Sequence, residues 1–341
     1  MTNLHFFLLF WRQILTVSFN FTTMRINIPE GAQIVLRTLI YYDIFNYPLA
    51  EDEIIKYCSL SKTEDHLCKN SIIYLVDKKI VHKLGNFYSL HKNNNNVDNR
   101  LIGNEKSKKW MKKAFFFSKL ISWFPFVRGI SLTGSLSKGY LNEDPDIDYF
   151  IITSPDRLWI ARTFLTAFKK VFLLNSYKYF CLNYFIASNR MEIDEKNIFT
   201  ATEIVTMIPT YGNSAKYLFF ESNWWVKEFY PSFARNSSLN AQKRNKFSLK
   251  YFIEYILNGS IGDKLDNWFM RLNVNFRKAK FGAKLSEDEF EIAFKSEKNV
   301  SKHHPDNFQK EVINTFKNKI KVIEKEFNVD LSKIKIELSK Q

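Results

Sequence analysis

Two aspartates end a polar loop between two apolar runs near the middle of the chain. The loop lies in the stretch ISLTGSLSKGYLNEDPDIDYFIIT, and the two carboxylates are those of Asp146 and Asp148. Residues i and i+2 of a strand point to the same side, so both carboxylates are expected on one face. Each charge raises the cost of ionising the other unless a divalent cation lies between them. The spacing therefore predicts a site for Mg²⁺ (or Mn²⁺); ordinary turn chemistry in Asp144-Pro145-Asp146 is the alternative.

The other end of the same loop has the features of a phosphate-binding site. Gly134 and Ser135 follow the first apolar run, where a strand is predicted to turn into a short helix. Glycine lets the backbone approach a phosphate closely, the first N–H groups of a helix lack an internal partner, and serine adds a hydroxyl donor. Lys138 adds a positive charge close by. A metal site beside a phosphate site supplies what the transfer of a nucleoside monophosphate from a nucleoside triphosphate (NTP) requires.

The segment GSLSKGYLNEDPDID resembles the signature of the DNA polymerase beta-type nucleotidyltransferase superfamily. In that pattern Gly-Ser follows the first strand of the core and Asp-apolar-Asp begins the second. The small bacterial members have GS-x-A-R-G, to which GSLSKG is similar, with Lys138 in the place of the arginine. The resemblance implies that Gly134 and Ser135 bind the triphosphate and that Asp146 and Asp148 hold the catalytic metal.

One position departs from the family pattern. Active members carry a third acidic residue on the following strand, but the corresponding stretch KYFCLNYFIAS contains neither Asp nor Glu. Asn183 lies near the expected place, and an asparagine can orient a hydroxyl but cannot serve as a base. The candidate catalytic residues are therefore Asp146, Asp148 and Asn183. Three carboxylates of the next segment are candidates to reach the site: Glu192, Asp194 and Glu203.

The pattern around the motif alternates between strands and helices. RGISLT, DIDYFIIT and KYFCLNYFIAS are predicted strands, and RLWIARTFLTAFKKVFLLN has the period of a long amphipathic helix. This alternation predicts an α/β-like core, and the resemblance implies that it is a nucleotidyltransferase core with a mixed β-sheet over residues 105–190. Residues 191–341 carry mostly helical spacing and predict a helical C-terminal domain.

The segment 31–92 predicts three helices followed by a small hairpin. The helices are AQIVLRTLIYYDIF, EDEIIKYC and SKTEDHLCKNSIIYLVDKKI, the last opened by a capping box of Ser61 and Glu64. Two short strands follow around Gly85-Asn86. This order resembles a winged helix-turn-helix. Glu64 and Asp65 at the start of the third helix would face the phosphates of DNA, so DNA binding and protein binding both stay open.

Two further segments are predicted to lie outside these modules. The polar run NNNNVDNR, residues 93–100, predicts a linker. Residues 1–30 are predicted to be an N-terminal extension that is either disordered or the result of a wrongly assigned start, in which case the true start is Met24. Their apolar stretch is interrupted by Arg12 and has no basic residue before it, unlike a signal peptide, and it is too short for a membrane helix.

The composition is that of a globular protein, and the order of the predicted elements indicates an α+β fold with an α/β-like core. Three scattered cysteines exclude a disulfide framework and favour the cytoplasm, and no stable membrane insertion is expected. The net charge of +15 suits phosphate-bearing partners, although a lysine-rich solvated surface explains it equally. The sequence thus predicts a nucleotidyltransferase whose partners are an NTP and an unidentified acceptor. The alternative is a catalytically weak nucleotide-binding regulator, or a winged-helix protein that binds DNA or protein.

Overall fold

The computed structural model describes residues 27–58, 65–176, 178–231, 233, 249–283, 286–303 and 308–338. Its described residues form an α+β fold with one three-stranded and one six-stranded sheet. Residues 1–26 lie outside the described part, and so does the capping box predicted at Ser61 and Glu64.

The N-terminal part contains the predicted helices and hairpin. Its elements are α1 (Glu30–Asp43), β1 (Leu49–Ala50), α2 (Glu51–Cys58), α3 (Asp65–Asp77), β2 (His82–Leu84) and β3 (Phe87–Ser89). β3 lies between β1 and β2 and pairs with both in antiparallel fashion. Gly85 sits at the hairpin turn with φ of +61°, a conformation that glycine adopts without steric cost. We call residues 30–89 the N-terminal module.

A single long helix connects this module to the large sheet. α4 spans Asn94–Ser122, so the predicted linker at residues 93–100 is wrong: most of that run forms the first turns of the helix. Asn93 caps it by accepting the backbone N–H of Asn95 through its side chain. Arg100 is buried against the N-terminal module, where it pairs with Glu53 at 2.7 Å. This tertiary packing stabilises a helix that the polar sequence did not predict.

The three strands predicted around the motif form the centre of the six-stranded sheet. In chain order the elements are β4 (Val127–Thr133), α5 (Gly134–Ser137), β5 (Asp148–Thr153), α6 (Leu158–Phe172) and β6 (Cys181–Ala187). β4 and β5 are antiparallel, and β5 and β6 are parallel through the α6 crossover. The sheet is therefore mixed, as predicted.

The C-terminal part is mostly helical, but it also completes the sheet. Its elements are α7 (Ile198–Thr206), β7 (Ile208–Tyr211), α8 (Asn213–Ser222), a 3₁₀ helix (Trp224–Glu228), α9 (Leu249–Ile256), α10 (Ser260–Phe281), α11 (Glu287–Ala293), β8 (Ser296–Glu297), β9 (Val300–Lys302) and α12 (Phe308–Phe327). The strand order is β7-β4-β5-β6-β9-β8. β7, β8 and β9 were missed by the sequence prediction, which had assigned helical spacing to this part.

Each face of the sheet is covered by its own apolar core. On one face, Tyr149 and Phe185 pack with Trp110 of α4 and Trp159 of α6. On the other face, the same cluster of buried side chains includes Phe150 together with residues of α7, α12 and the N-terminal module. The N-terminal module therefore shares a core with the rest of the chain. Among the described residues, no helix combines the length and the apolar character needed to cross a membrane.

Candidate functional site

The predicted site residues come together at one end of the three central strands of the large sheet. β4 ends where β5 begins, since Thr133 pairs with Asp148, and Asp148 in turn pairs with Cys181 at the start of β6. Gly134 directly follows Thr133, and Asn183 is two residues further along β6 than Cys181. The topology thus collects the glycine, the aspartates and the asparagine within three neighbouring strands.

Gly134 is required by the close approach of the loop to Asp148. Its φ of +68° lies in the left-handed region, and a Cβ added there would lie 2.2 Å from Oδ2 of Asp148. Any other residue would have to push the carboxylate away. The loop then closes in a single short turn, because α5 has only four residues, and the contribution of a helix dipole is correspondingly small. Ser135 is exposed to solvent at the start of this turn.

The two aspartates share a face, as the spacing predicted. Asp146 precedes β5 and Asp148 is its first residue, with Ile147 buried between them and directed into the core. One carboxylate oxygen of each aspartate and Sγ of Cys181 all lie within 4.8 Å of one another. Asn183 joins this group: its amide donates to Asp148, and its carbonyl oxygen accepts the thiol of Cys181 at 3.0 Å.

The enclosure of these groups makes their negative charge costly. Burial raises the pKa of Asp148 to about 8, and the charges of Asp146 and Glu203 add to this effect. Burial also raises the pKa of Asp146. The pKa of the Cys181 thiol is raised by burial and then by the neighbouring carboxylates, so the thiol stays protonated. Without a cation, the site therefore favours a protonated Asp148 at neutral pH.

These residues fit a hard divalent cation. Two carboxylates that share a face are the protein ligands expected for Mg²⁺ or Mn²⁺ beside substrate phosphates. Sγ of Cys181 lies near the same place, but a soft sulfur is a poor ligand for a hard cation, and the thiol donates to Asn183. Asp146 and Asp148 are the residues that would hold the ion. Asn183 positions Asp148 from the side through its amide.

One of the three carboxylates considered from the sequence does reach the site. Glu203 of α7 accepts the backbone N–H of Gly134 at 3.1 Å and the Lys138 ammonium at 2.6 Å. Lys138 also donates to the carbonyl of Gly134 at 3.1 Å. The other two, Glu192 and Asp194, form ion pairs elsewhere, with Lys196 and with Arg190 and Lys295. Glu203 thus occupies the donors that the sequence assigned to a phosphate.

The loop that follows Gly134 is hydrogen-bonded to α4. The Asn104 amide and the Ser107 hydroxyl of α4 both donate to the carbonyl of Gly139, at 2.5 and 2.8 Å. Asn104 also donates to the Tyr47 hydroxyl at 3.2 Å, and the Tyr47 ring contacts that of Tyr140 with centroids 5.4 Å apart. The N-terminal module is therefore in direct contact with the loop that follows Gly134.

Sequence reasoning missed two groups at this site. Cys181 carried a signal, because it is two residues from Asn183 and must share its face of the strand. Lys169 carried none, since it is one of two adjacent lysines on the amphipathic α6. Lys169 is buried, and burial lowers its pKa to about 8, while the charges of Cys181 and Asp146 act in the opposite direction. Its charge acts on Asp146, where it lowers the pKa and so opposes the effect of burial.

Comparison of the chain with protein-family models, with curated proteins and with solved structures found no significant match to any of them. The geometry of this site is therefore the basis on which a function can be proposed.

Proposed function

We propose that the protein is a metal-dependent nucleotidyltransferase, which moves a nucleoside monophosphate from an NTP to an acceptor that bears a hydroxyl or phosphate group. The supporting observation is the packing of Gly134 against Asp148, with no room for a Cβ between them. This contact joins a loop that carries the exposed Ser135 hydroxyl, the Gly134 N–H and the Lys138 ammonium to a pair of carboxylates that need a cation. In this proposal, β4, β5 and β6 belong to a nucleotidyltransferase core and the N-terminal module is a winged helix.

The residues of the site have distinct roles in the proposed reaction. Asp146 and Asp148 would hold Mg²⁺ or Mn²⁺, which would supply positive charge beside the phosphate oxygens. The Gly134 N–H, the Ser135 hydroxyl and the Lys138 ammonium bind the triphosphate. Asn183 keeps Asp148 oriented through its amide. An oxygen of the acceptor attacks the α-phosphorus, the bond from that phosphorus to the bridging oxygen breaks, and pyrophosphate leaves; when the acceptor is a hydroxyl, its proton passes to solvent water.

Pyrophosphate is the product that tests this proposal. The purified protein would be incubated with each NTP and Mg²⁺ or Mn²⁺, with and without a pool of hydroxyl-bearing metabolites, and both pyrophosphate and orthophosphate would be measured. We expect metal-dependent release of pyrophosphate, lost in Asp148→Asn and retained in Asp144→Asn, a control that removes an exposed carboxylate from the same loop. Release of orthophosphate alone, or equal release by Asp148→Asn, would contradict the proposal.

A nucleotide-binding regulator is the second candidate. It is favoured by Asn183, which stands beside Asp148 where the family has a third acidic residue, and by the contact of the N-terminal module with the loop through Tyr47 and Asn104. Such a protein would bind an NTP with its metal and pass the signal to the module. Tight metal-dependent binding without any pyrophosphate release would support it over the transferase.

A further inference from the structure

Glu203 fills the place on the loop where phosphate oxygens are expected. Its carboxylate accepts the Gly134 N–H at 3.1 Å and the Lys138 ammonium at 2.6 Å, and the second of these is a short, charge-assisted bond. A carboxylate and a phosphate compete for the same donors, since both offer anionic oxygens. The Lys138 and Glu203 side chains are 14% and 24% exposed, so water screens this ion pair only in part.

Glu203 is held in this position by the packing of its helix. α7 begins at the capping residue Asn197, whose side chain accepts the N–H of Thr200 at 3.0 Å. Within the same turn of helix as Glu203, Thr202 is fully buried and its hydroxyl contacts that of Tyr230 at 2.6 Å. The backbone of α7 is therefore fixed, so displacement of Glu203 by a stronger anion would require a change of its side-chain rotamer.

We propose that Glu203 is an internal competitor of the nucleotide, a specificity residue that the triphosphate must displace from Gly134 and Lys138. This inference rests on the proposed function, because it assumes that the loop binds phosphates. Displacement moves the Glu203 carboxylate away from the two donors and leaves both for the phosphate oxygens. A polyphosphate carries more charge than one carboxylate, and its metal neutralises the adjacent aspartates. Monophosphates lack that advantage, so Glu203 selects for NTPs.

The arrangement also argues against Glu203 as the missing third acidic residue. A catalytic base must reach the attacking hydroxyl. Glu203 instead accepts the Gly134 N–H and pairs with Lys138, on the side of the loop assigned to the phosphates. The two roles predict different effects of Glu203→Gln: an internal competitor limits affinity, whereas a base limits turnover.

Binding of inorganic triphosphate without metal isolates the anion site from the metal site. Isothermal calorimetry in EDTA would compare the parent protein with Glu203→Gln, which keeps the shape of the side chain. Glu192→Gln is the matched control, since it removes one charge from a side chain that is 54% exposed and paired with Lys196. We expect Glu203→Gln to bind inorganic triphosphate about tenfold more tightly, in line with the loss of a competing charge-assisted bond. The control should bind like the parent.

The same comparison with Mg²⁺ and a non-hydrolysable ATP analogue separates the two hypotheses. Glu203→Gln should again bind about tenfold more tightly, and the preference of the analogue over AMP should shrink. If Glu203→Gln binds no better than the parent, the inference about Glu203 is wrong and the proposed function stands. If neither protein binds the analogue or inorganic triphosphate, both proposals are wrong. Glu203→Ala provides a second test, and circular dichroism confirms that each variant is folded.

Discussion

Replacement of Asp148 by asparagine should stabilise the metal-free protein and flatten the dependence of its stability on pH. Asp148 has an ordinary pKa of 3.8 that is raised to about 8 in the folded protein, chiefly by burial. The folded state therefore binds this proton more tightly than the unfolded state. Above the unfolded pKa, the unfolded chain releases the proton while the folded protein retains it. Unfolding is thus favoured as the pH rises, until the folded pKa is reached.

The magnitude follows from the size of this shift. One proton of difference between the two states changes the free energy of unfolding by about 1.4 kcal/mol per pH unit. Between the ordinary pKa of 3.8 and neutral pH, Asp148 therefore costs the parent protein up to about 4 kcal/mol. An asparagine of similar shape pays none of this cost. We expect Asp148→Asn to gain about 2–4 kcal/mol at neutral pH, because the neutral amide is neither desolvated as a charge nor repelled by Asp146 and Glu203.

Urea unfolding in EDTA, followed by circular dichroism at several pH values between about 5 and 8, measures this effect. The slope of the parent against pH should be steeper than that of Asp148→Asn by about 1 kcal/mol per pH unit. Asp144→Asn, in which an exposed carboxylate of the same loop is removed, should keep the slope of the parent. Parallel slopes for the parent and Asp148→Asn would show that Asp148 is not a protonated, enclosed group, and the reasoning about the site would be wrong.

Three further predictions concern the residues that position the site. Gly134→Ala should lose about 1–2 kcal/mol of stability or more, together with all metal binding. Gly85→Ala is the control, because Gly85 also has a positive φ but has open space around it, and this variant should lose only stability. Urea unfolding measures the stability and Mn²⁺ titration measures the metal binding. Asn183→Asp should lower the stability of the metal-free protein by about 1–3 kcal/mol, because a further carboxylate would replace the amide that donates to Asp148. The same variant should bind Mn²⁺ more tightly, and an unchanged Mn²⁺ affinity would contradict this. Asn104→Ala should weaken nucleotide binding several-fold through the loss of its bonds to Gly139 and Tyr47, while Asn95→Ala, at an exposed position of the same helix, should not, as calorimetry would show.

The centre of the sheet was predictable because its elements have strong local signals. β4, β5 and β6 are apolar runs between turn residues, and the positions of Gly134 and Asp148 at the ends of two such runs fixed their proximity. The strands of the C-terminal part had no such signal. β8 and β9 have only two and three residues, and they are strands because β9 pairs with β6.

Long-range packing explains what the sequence did not reveal about the site. Glu203 follows Gly134 by 69 positions, and its contact depends on how α7 lies across the end of β4, which no local pattern encodes. The helix at residues 94–100 likewise owes its stability to the burial of Arg100 between the rings of Tyr47 and Phe87. The charge of Lys169 acts on Asp146 only because α6 packs beside β6.

Metal-dependent nucleotide binding tests the central claim most directly. Calorimetry with a non-hydrolysable ATP analogue, in Mg²⁺ and in EDTA, would compare the parent protein with Asp146→Asn, Asp148→Asn and Asp144→Asn. We predict that the parent and Asp144→Asn bind the analogue in Mg²⁺ and bind it much more weakly in EDTA. Both Asp146→Asn and Asp148→Asn should lose the difference between Mg²⁺ and EDTA while remaining folded. Mg²⁺-dependent binding by Asp148→Asn as tight as that of the parent would contradict the account, because the paired aspartates would then be no more than turn residues.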